Sequence, residues 1–262
     1  MKKLDLPVYL VSLKQDAARR RILSENFPSY YHDFICVEAV DGRTLPASEY
    51  YSKTLPFFSV HRRPMTPAEL GCTLSHIKAL KSFLESNESF ALIIEDDVIG
   101  RDEDLLRVSK SVSQLSSCSL VFCGCQDGLM NKYKYGYKIS AHVLRVPRYN
   151  FGNFSRTAAY VVSRSAAKVI LNFYENKYIT VADFWFELLE GGDVDVFYIA
   201  GMRHPLSLGG SILEEERAVH HRTVVRKVFS KKMPRLVFNR FLEESKRIFN
   251  LAKGAIKIGV IL

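Results

Sequence analysis

The chain has 262 residues, 47% of them hydrophobic, and a formal net charge of +9. That is enough apolar material for a large globular core, alone or with an appendage, and it excludes a disordered or fibrous chain. No apolar run reaches the roughly 18 residues that span a bilayer, and Asp5 and Pro7 interrupt what would have to be the apolar part of a leader, so a cytoplasmic protein is predicted. The five cysteines (Cys36, Cys72, Cys118, Cys123, Cys125) are odd in number and lack the spacing of a secreted scaffold, which predicts reduced thiols. Cys123 and Cys125 form a lone C-x-C, better explained as buried strand residues than as a zinc pair.

"LPVYLVSL", residues 6–13, is rich in Val, Leu and Tyr and suits a buried first strand. A helix follows from Asp16 and ends by Pro28; "FICVEAVDGRTLP" then predicts a second strand, stopped at the Asp41-Gly42 turn signal. Residues 66–86 carry the clearest helix start, with Thr66 as N-cap, Pro67 at the first helical position and Glu69 closing a capping box. Leu70, Leu74, Ile77, Leu80 and Leu84 supply its apolar stripe. Gly71 and Ser75 offer a neighbouring small face for close approach of a backbone or a ligand, with His76 beside it.

"FALIIEDDV" runs apolar without a break, as strands covered on both faces do. Residues 119–125, 158–163 and 195–200 read as further strands, and residues 164–176 as a helix. The alternation predicts one α/β unit over residues 1–216, with a mostly parallel central sheet flanked by helices, and then a basic helical tail over residues 217–262.

Three consecutive acids, Glu95, Asp96 and Asp97, fall where the apolar run stops. Ligands of open α/β sheets bind at the carboxyl ends of strands, and hard carboxylate oxygens there suit Mg²⁺ or Mn²⁺, which would also relieve the repulsion among the three. Glu95 and Asp97 point the same way if the extended geometry persists. Such a pair can hold a metal-bound diphosphate, as in nucleotide-sugar transferases, or activate water, as in hydrolases and phosphatases, and spacing does not separate these. A solvated loop or a helix cap is the non-catalytic alternative. Neither a G-x-x-x-x-G-K-[ST] loop nor a G-x-S-x-G elbow occurs.

"VYLVSL" followed by Arg19 and Arg20, then "PAELGCTLSHIKALK", "IIEDDV", "TAAYVVSRSAA" and "HPLSLGGSI", resemble in order and spacing the bacterial lipooligosaccharide members of glycosyltransferase family 25. The resemblance covers most of residues 7–216, and its most specific pieces are the E-L-G-C-x-L-S-H helix and the E-D-D triplet 19 residues beyond its His. It implies a GT-A type, Rossmann-like fold, a UDP-hexose donor (galactose before glucose), Mn²⁺ or Mg²⁺ under the diphosphate, and inversion at the anomeric carbon. It further implies Glu95 and Asp97 as metal ligands, and Ser12, Arg19, Arg20, His76 and Asp96 as contacts of the UDP-sugar. Ser12 stands where family members often carry Asn. The family's general base falls in a P-V-D-like segment, matched here by Asp183 in "ITVADFWFELL", with Ala182 a departure. Asp183 as a cap of the following helix is the structural alternative, and Asp127 is in reserve. A third metal ligand is open among His204, His220 and His221. Trp185 is expected in the core rather than stacked on an acceptor sugar. Tyr133, Tyr135 and Tyr137 are expected to line an acceptor groove or to form an exposed strand.

The charge is uneven: residues 217–262 hold twelve Lys and Arg against Glu243 and Glu244, +10 of the +9 total, leaving residues 1–216 at −1. The tail interleaves these cations with Val, Phe, Leu and Ile at roughly helical spacing, which suits an anionic membrane surface, each nearby cation adding about 1 kcal/mol. A saccharide acceptor of lipooligosaccharide, lipopolysaccharide or another lipid-linked glycan would be met there, on the cytoplasmic face of the inner membrane. Nucleic acid is not expected as a partner, because the charge sits at one end and no named motif accompanies it. The competing class is a non-enzymatic peripheral membrane or nucleic-acid binding protein with an acidic surface loop.

Overall fold

The computed structural model describes residues 4–206 and 233–258, with side chains of the last helix from residue 242 onward. His220 and His221, expected as possible metal ligands, and the first part of the expected basic tail lie outside the described residues. In chain order the elements begin β1 (Val8–Ser12), α1 (Ala17–Asn26), β2 (Ile35–Glu38), α2 (Ala47–His61), α3 (Pro67–Glu85), β3 (Phe90–Glu95), α4 (Asp102–Val112) and β4 (Ser119–Gly124). They continue with β5 (Tyr135–Lys138), β6 (Val143–Val146), β7 (Ala159–Ser163), α5 (Arg164–Asn176), α6 (Trp185–Leu188), β8 (Asp195–Met202), α7 (Met233–Ala252) and β9 (Ile256–Lys257).

The nine described strands form one sheet in the order β2-β1-β3-β7-β4-β8-β6-β5-β9. The expected α/β class holds, and parallel pairing is found among β2, β1 and β3 and again between β4 and β8, while the β6–β8, β5–β6 and β5–β9 pairs are antiparallel, so the sheet is mixed. Between the two parallel blocks β7 runs antiparallel to both β3 and β4.

The apolar run of β3 is continuous because helices cover both faces of the sheet. Ala91 and Ile93 belong to one core, shared with Leu80 and Phe83 of α3 and Ala166 and Ile170 of α5. Leu92 and Ile94 point the other way, into a core with Leu23 of α1 and Leu105 and Val108 of α4. The period-two alternation of a strand thus serves two layers rather than one. Trp185 is 2% exposed and packs edge-on against Phe122 and Tyr160, a core residue as expected. No cysteine is in a disulfide among the described residues, and burial pushes the Cys123 thiol up to about 12.

α3 starts as the sequence predicts. Thr66 accepts from the Glu69 N–H, and the Glu69 carboxylate accepts from the Thr66 N–H in return. Its small face meets the chain just beyond β2: the Ser75 hydroxyl accepts from the Val40 N–H and donates to the Gly71 carbonyl. A Cβ on Gly71 would stand 2.6 Å from both the Gly42 nitrogen and the Val40 oxygen, so backbone lies directly on backbone here. Gly71→Ala is therefore expected to lower stability by about 1–3 kcal/mol, measured by urea unfolding, because neither neighbour is a flexible side-chain end.

The described part of the tail is helical, as expected, and it is built into the fold. The Tyr133 hydroxyl donates to Glu244 at 3.0 Å, Lys132 pairs with the same carboxylate, and Tyr137 and Tyr149 both reach Asn250. β9 then pairs antiparallel with β5 at Tyr135 and Gly136. Of the two expectations for Tyr133, Tyr135 and Tyr137, the exposed strand is corrected: in β5 Tyr135 is buried and Tyr137 half-buried, and Tyr133 precedes the strand. Tyr133 and Tyr137 hold α7, and Tyr135, which is buried, donates to the Lys132 carbonyl.

Candidate functional site

A cavity opens where β1 and β3 end, walled by Val40, Asp41, Gly42 and Arg43 on one side and by Cys72, Ser75 and His76 of α3 on another. Ser12, Arg19, Glu95, Asp96 and Asp97 complete it, so most of the predicted site residues are brought together. It lies at the carboxyl ends of the parallel strands, where open α/β sheets bind their ligands.

The triplet differs from expectation in one respect. Strand geometry stops at Glu95 and a turn follows over Asp96 and Asp97, so the period-two alternation that would put Glu95 and Asp97 on one strand face does not extend through the triplet, although all three line the cavity. Glu95 accepts from Thr157 at 2.5 Å and lies 3.1 Å from His76 Nε2, whose Nδ1 is 3.1 Å from the Tyr160 hydroxyl. Burial works to raise the Glu95 carboxyl, but the His76 hydrogen bond and charge, with Thr157 and His204, hold it below its ordinary value. Asp96 accepts from Ser12 at 2.6 Å and from Arg19 at 3.3 Å. Burial nevertheless keeps its carboxyl above the ordinary value.

Asp97 is the least satisfied member. Its Oδ2 lies 3.5 Å from His204 Nε2, while its Oδ1 is buried with no hydrogen-bond partner among the described residues. Burial, then the charges of Glu95 and Asp96, push its carboxyl up to about 7. A buried, partnerless carboxylate oxygen beside two further acids is the donor chemistry that a hard divalent cation satisfies. The residues present therefore fit Mn²⁺ or Mg²⁺.

The family model described as "Glycosyltransferase family 25 (LPS biosynthesis protein)" matches residues 5–185. The chain belongs to glycosyltransferase family 25. A "Glycosyltransferase 25 family member" of Aedes aegypti is 27% identical over 172 residues, 63% of this chain and 27% of that protein. "Procollagen galactosyltransferase 1-A" of Xenopus laevis is 35% identical over 96 residues, 35% of this chain and 16% of that protein. The "Procollagen lysyl hydroxylase and glycosyltransferase" of Acanthamoeba polyphaga mimivirus is 25% identical over 170 residues, 61% of this chain and 18% of that protein. The family 25 chain thus matches between about a sixth and a quarter of the length of these curated relatives.

In this family 25 chain Arg20, unlike Arg19, does not line the cavity. Its guanidinium donates to the Ser12 hydroxyl and to the carbonyls of Leu13 and Lys14, so it supports the loop after β1 that carries the cavity-lining Ser12 and Leu13. Asp183 is not the cap of α6: Phe184 is the N-cap residue, without a side-chain cap bond, and the Asp183 carboxylate accepts instead from the Arg156 N–H at 2.9 Å. Arg156 adopts φ +74 and is followed by Thr157, so adjacent residues of one bend touch Asp183 and Glu95. Asp127, the reserve candidate, accepts from the His204 N–H, and its carbonyl accepts from the Arg156 guanidinium.

Thr157, Arg156, Tyr160 and Cys72 are the site residues that sequence reasoning missed. Thr157 just precedes β7: the antiparallel β3–β7 register pairs Ile94 with Ala159 and brings Ala158, whose carbonyl accepts from the Glu95 N–H, opposite Glu95, with Thr157 next in line. Nothing local in the sequence signals that register. The C-x-x-x-H spacing of Cys72 and His76 on a predicted helix was a usable signal, since residues four apart share a helix face.

Proposed function

We propose that the chain is an inverting glycosyltransferase that moves a hexose, galactose first and glucose next, from a UDP-sugar to a saccharide acceptor in the presence of Mn²⁺ or Mg²⁺. The observation that carries this reading is the partnerless Asp97 oxygen in an acid-lined cavity at the strand ends of a family 25 chain. Galactose is favoured because relatives are named galactosyltransferases. A lipopolysaccharide-type acceptor is favoured because the matching family is described as an LPS biosynthesis protein.

In this reading Asp97 and Glu95 hold the cation, which supplies charge neutralisation for a departing diphosphate when bound. Asp96, oriented by Ser12 and Arg19, accepts from a donor hydroxyl, and the Arg19 guanidinium adds positive charge at the same rim. His76, held by Tyr160, keeps Glu95 ionised. Asp183, held by the Arg156 N–H, takes the proton of the attacking acceptor hydroxyl, as a single displacement with inversion requires. The test is incubation of the full chain with UDP-galactose, Mn²⁺ and a lipooligosaccharide saccharide. Transfer to the saccharide, lost with EDTA, is the expected result. Release of free hexose whether or not acceptor is present would instead mark a hydrolase.

We further propose that the enzyme works at the cytoplasmic face of an anionic membrane. α7 turns polar side chains inward, Glu244 and Asn250, and leaves Ile248, Phe249 and Leu251 exposed, with Lys253 4.3 Å from the Phe249 ring. Among the described residues no helix is long and apolar enough to cross a membrane. An outward apolar strip with cations beside it suits an interfacial helix. Ile248→Ser with Leu251→Ser is expected to weaken sedimentation with phosphatidylglycerol vesicles at least about tenfold, given roughly 0.8 kcal/mol per buried CH₂. Neutral vesicles should bind poorly whichever version is used.

A further inference from the structure

Cys72 and His76 stand one turn apart on α3 and line the cavity together with Glu95 from the end of β3. Their ligand atoms, one sulfur, one nitrogen and one oxygen, all lie within 4.8 Å of one another. We infer that these three side chains form a site for a borderline divalent cation of the Zn²⁺ type, different in character from the hard-cation place at Asp97.

The donor chemistry separates the two places. A thiolate and an imidazole favour zinc or cobalt over magnesium and manganese, whereas carboxylate oxygens alone favour the latter. Tetrahedral zinc takes sulfur at about 2.3 Å and nitrogen or oxygen at about 2.0–2.2 Å, which puts ligand atoms roughly 3.3–3.7 Å apart. His76 Nε2 and Glu95 Oε1 are already 3.1 Å apart, so a shift of about 1 Å by the Cys72 sulfur closes the set.

The surroundings are also those of a ligating histidine. Nδ1 of His76 faces the Tyr160 hydroxyl at 3.1 Å, which fixes the ring and leaves Nε2 for the cavity side. Thr157 holds Glu95 in the same manner at 2.5 Å. Three protein ligands with an open cavity in front leave a fourth position for water, the arrangement of an accessible zinc site. Because Glu95 belongs to both places, zinc here and a hard cation shared between Glu95 and Asp97 exclude each other. Zinc therefore inhibits transfer, and this last consequence alone rests on the glycosyltransferase reading.

Zinc-edge X-ray absorption on the full chain loaded with one equivalent of Zn²⁺ tests the site without any variant. One sulfur neighbour at about 2.3 Å is expected, and a shell of nitrogen and oxygen only would overturn the inference. Titration with Co²⁺ should give a sulfur-to-cobalt charge-transfer band that Zn²⁺ removes and excess Mg²⁺ does not. The band should vanish in Cys72→Ser; its persistence there would assign it to another thiol and refute the site. Tyr160→Phe, which keeps the ring, should weaken cobalt about 10–100-fold by releasing His76, and unchanged affinity would count against it. Asp97→Asn should leave the cobalt titration intact, so failure of the hexose-transfer reading and failure of this one are told apart.

Discussion

Asp97→Asn is expected to abolish hexose transfer and at the same time to stabilise the metal-free protein at neutral pH. The carboxylate is buried, has one partnerless oxygen, and is raised from 3.8 to about 7 by burial and by Glu95 and Asp96. Its value is higher folded than unfolded, so between about pH 4 and pH 7 the folded state binds more protons than the unfolded chain. Stability then falls as pH rises through that window, and the loss is complete above about pH 7. The ceiling on the loss is about 4 kcal/mol, from the distance between 3.8 and 7. Asparagine cannot ionise and escapes it. Urea unfolding in EDTA should find the two proteins close in stability at pH 4 and the variant ahead at pH 8. Transfer should fall ~10³-fold or more, because several kcal/mol of charge stabilisation in the transition state depend on the cation. An active variant, or one less stable at pH 8, would overturn the role assigned to Asp97.

Asp183→Asn should lower kcat by about 10²–10⁴-fold with little change in the donor KM. The substitution is nearly isosteric, and its amide oxygen still accepts from the Arg156 N–H, so the bend that also carries Thr157 and its bond to Glu95 is preserved. What is lost is proton acceptance. Steady-state kinetics with varied UDP-galactose decide the matter: a raised KM at unchanged kcat would make Asp183 a binding residue instead. Asp183→Ala removes the bond to Arg156 as well and should reduce both kcat and the midpoint of thermal unfolding.

How much of this was legible beforehand follows the range of the interactions involved. The start of α3 is written in four neighbouring residues, Thr66 to Glu69, because both bonds of the capping box close within one turn. The small face at Gly71 and Ser75 was readable as a place of close approach, and the structure supplies the Gly42 loop as what approaches. The partners of Glu95 were not readable. Thr157 comes 62 residues later and meets it only because β7 enters the sheet antiparallel, an insertion that the alternation of strands and helices does not announce. Likewise the turn at Asp96 and Asp97 defeats a period-two argument within one residue of the strand's end. α2 carries Pro56 inside it, against the usual reading of proline as a stop, and no helix is predicted there from the sequence. The short strands β5, β6 and β9 lack the apolar runs that marked β3 and β4.

β9 has a practical bearing on handling the protein. Residues 256 and 257 cover the outer rim of β5, and Ile258 beside them is 1% exposed. A version cut at residue 216 would bare the backbone groups of Tyr135 and Gly136 and uncover the seat of α7. Open rims of this sort recruit one another between molecules. During synthesis the same rim stays unguarded until the ribosome has released the chain beyond Lys257, and until then the nascent chain is open to clumping.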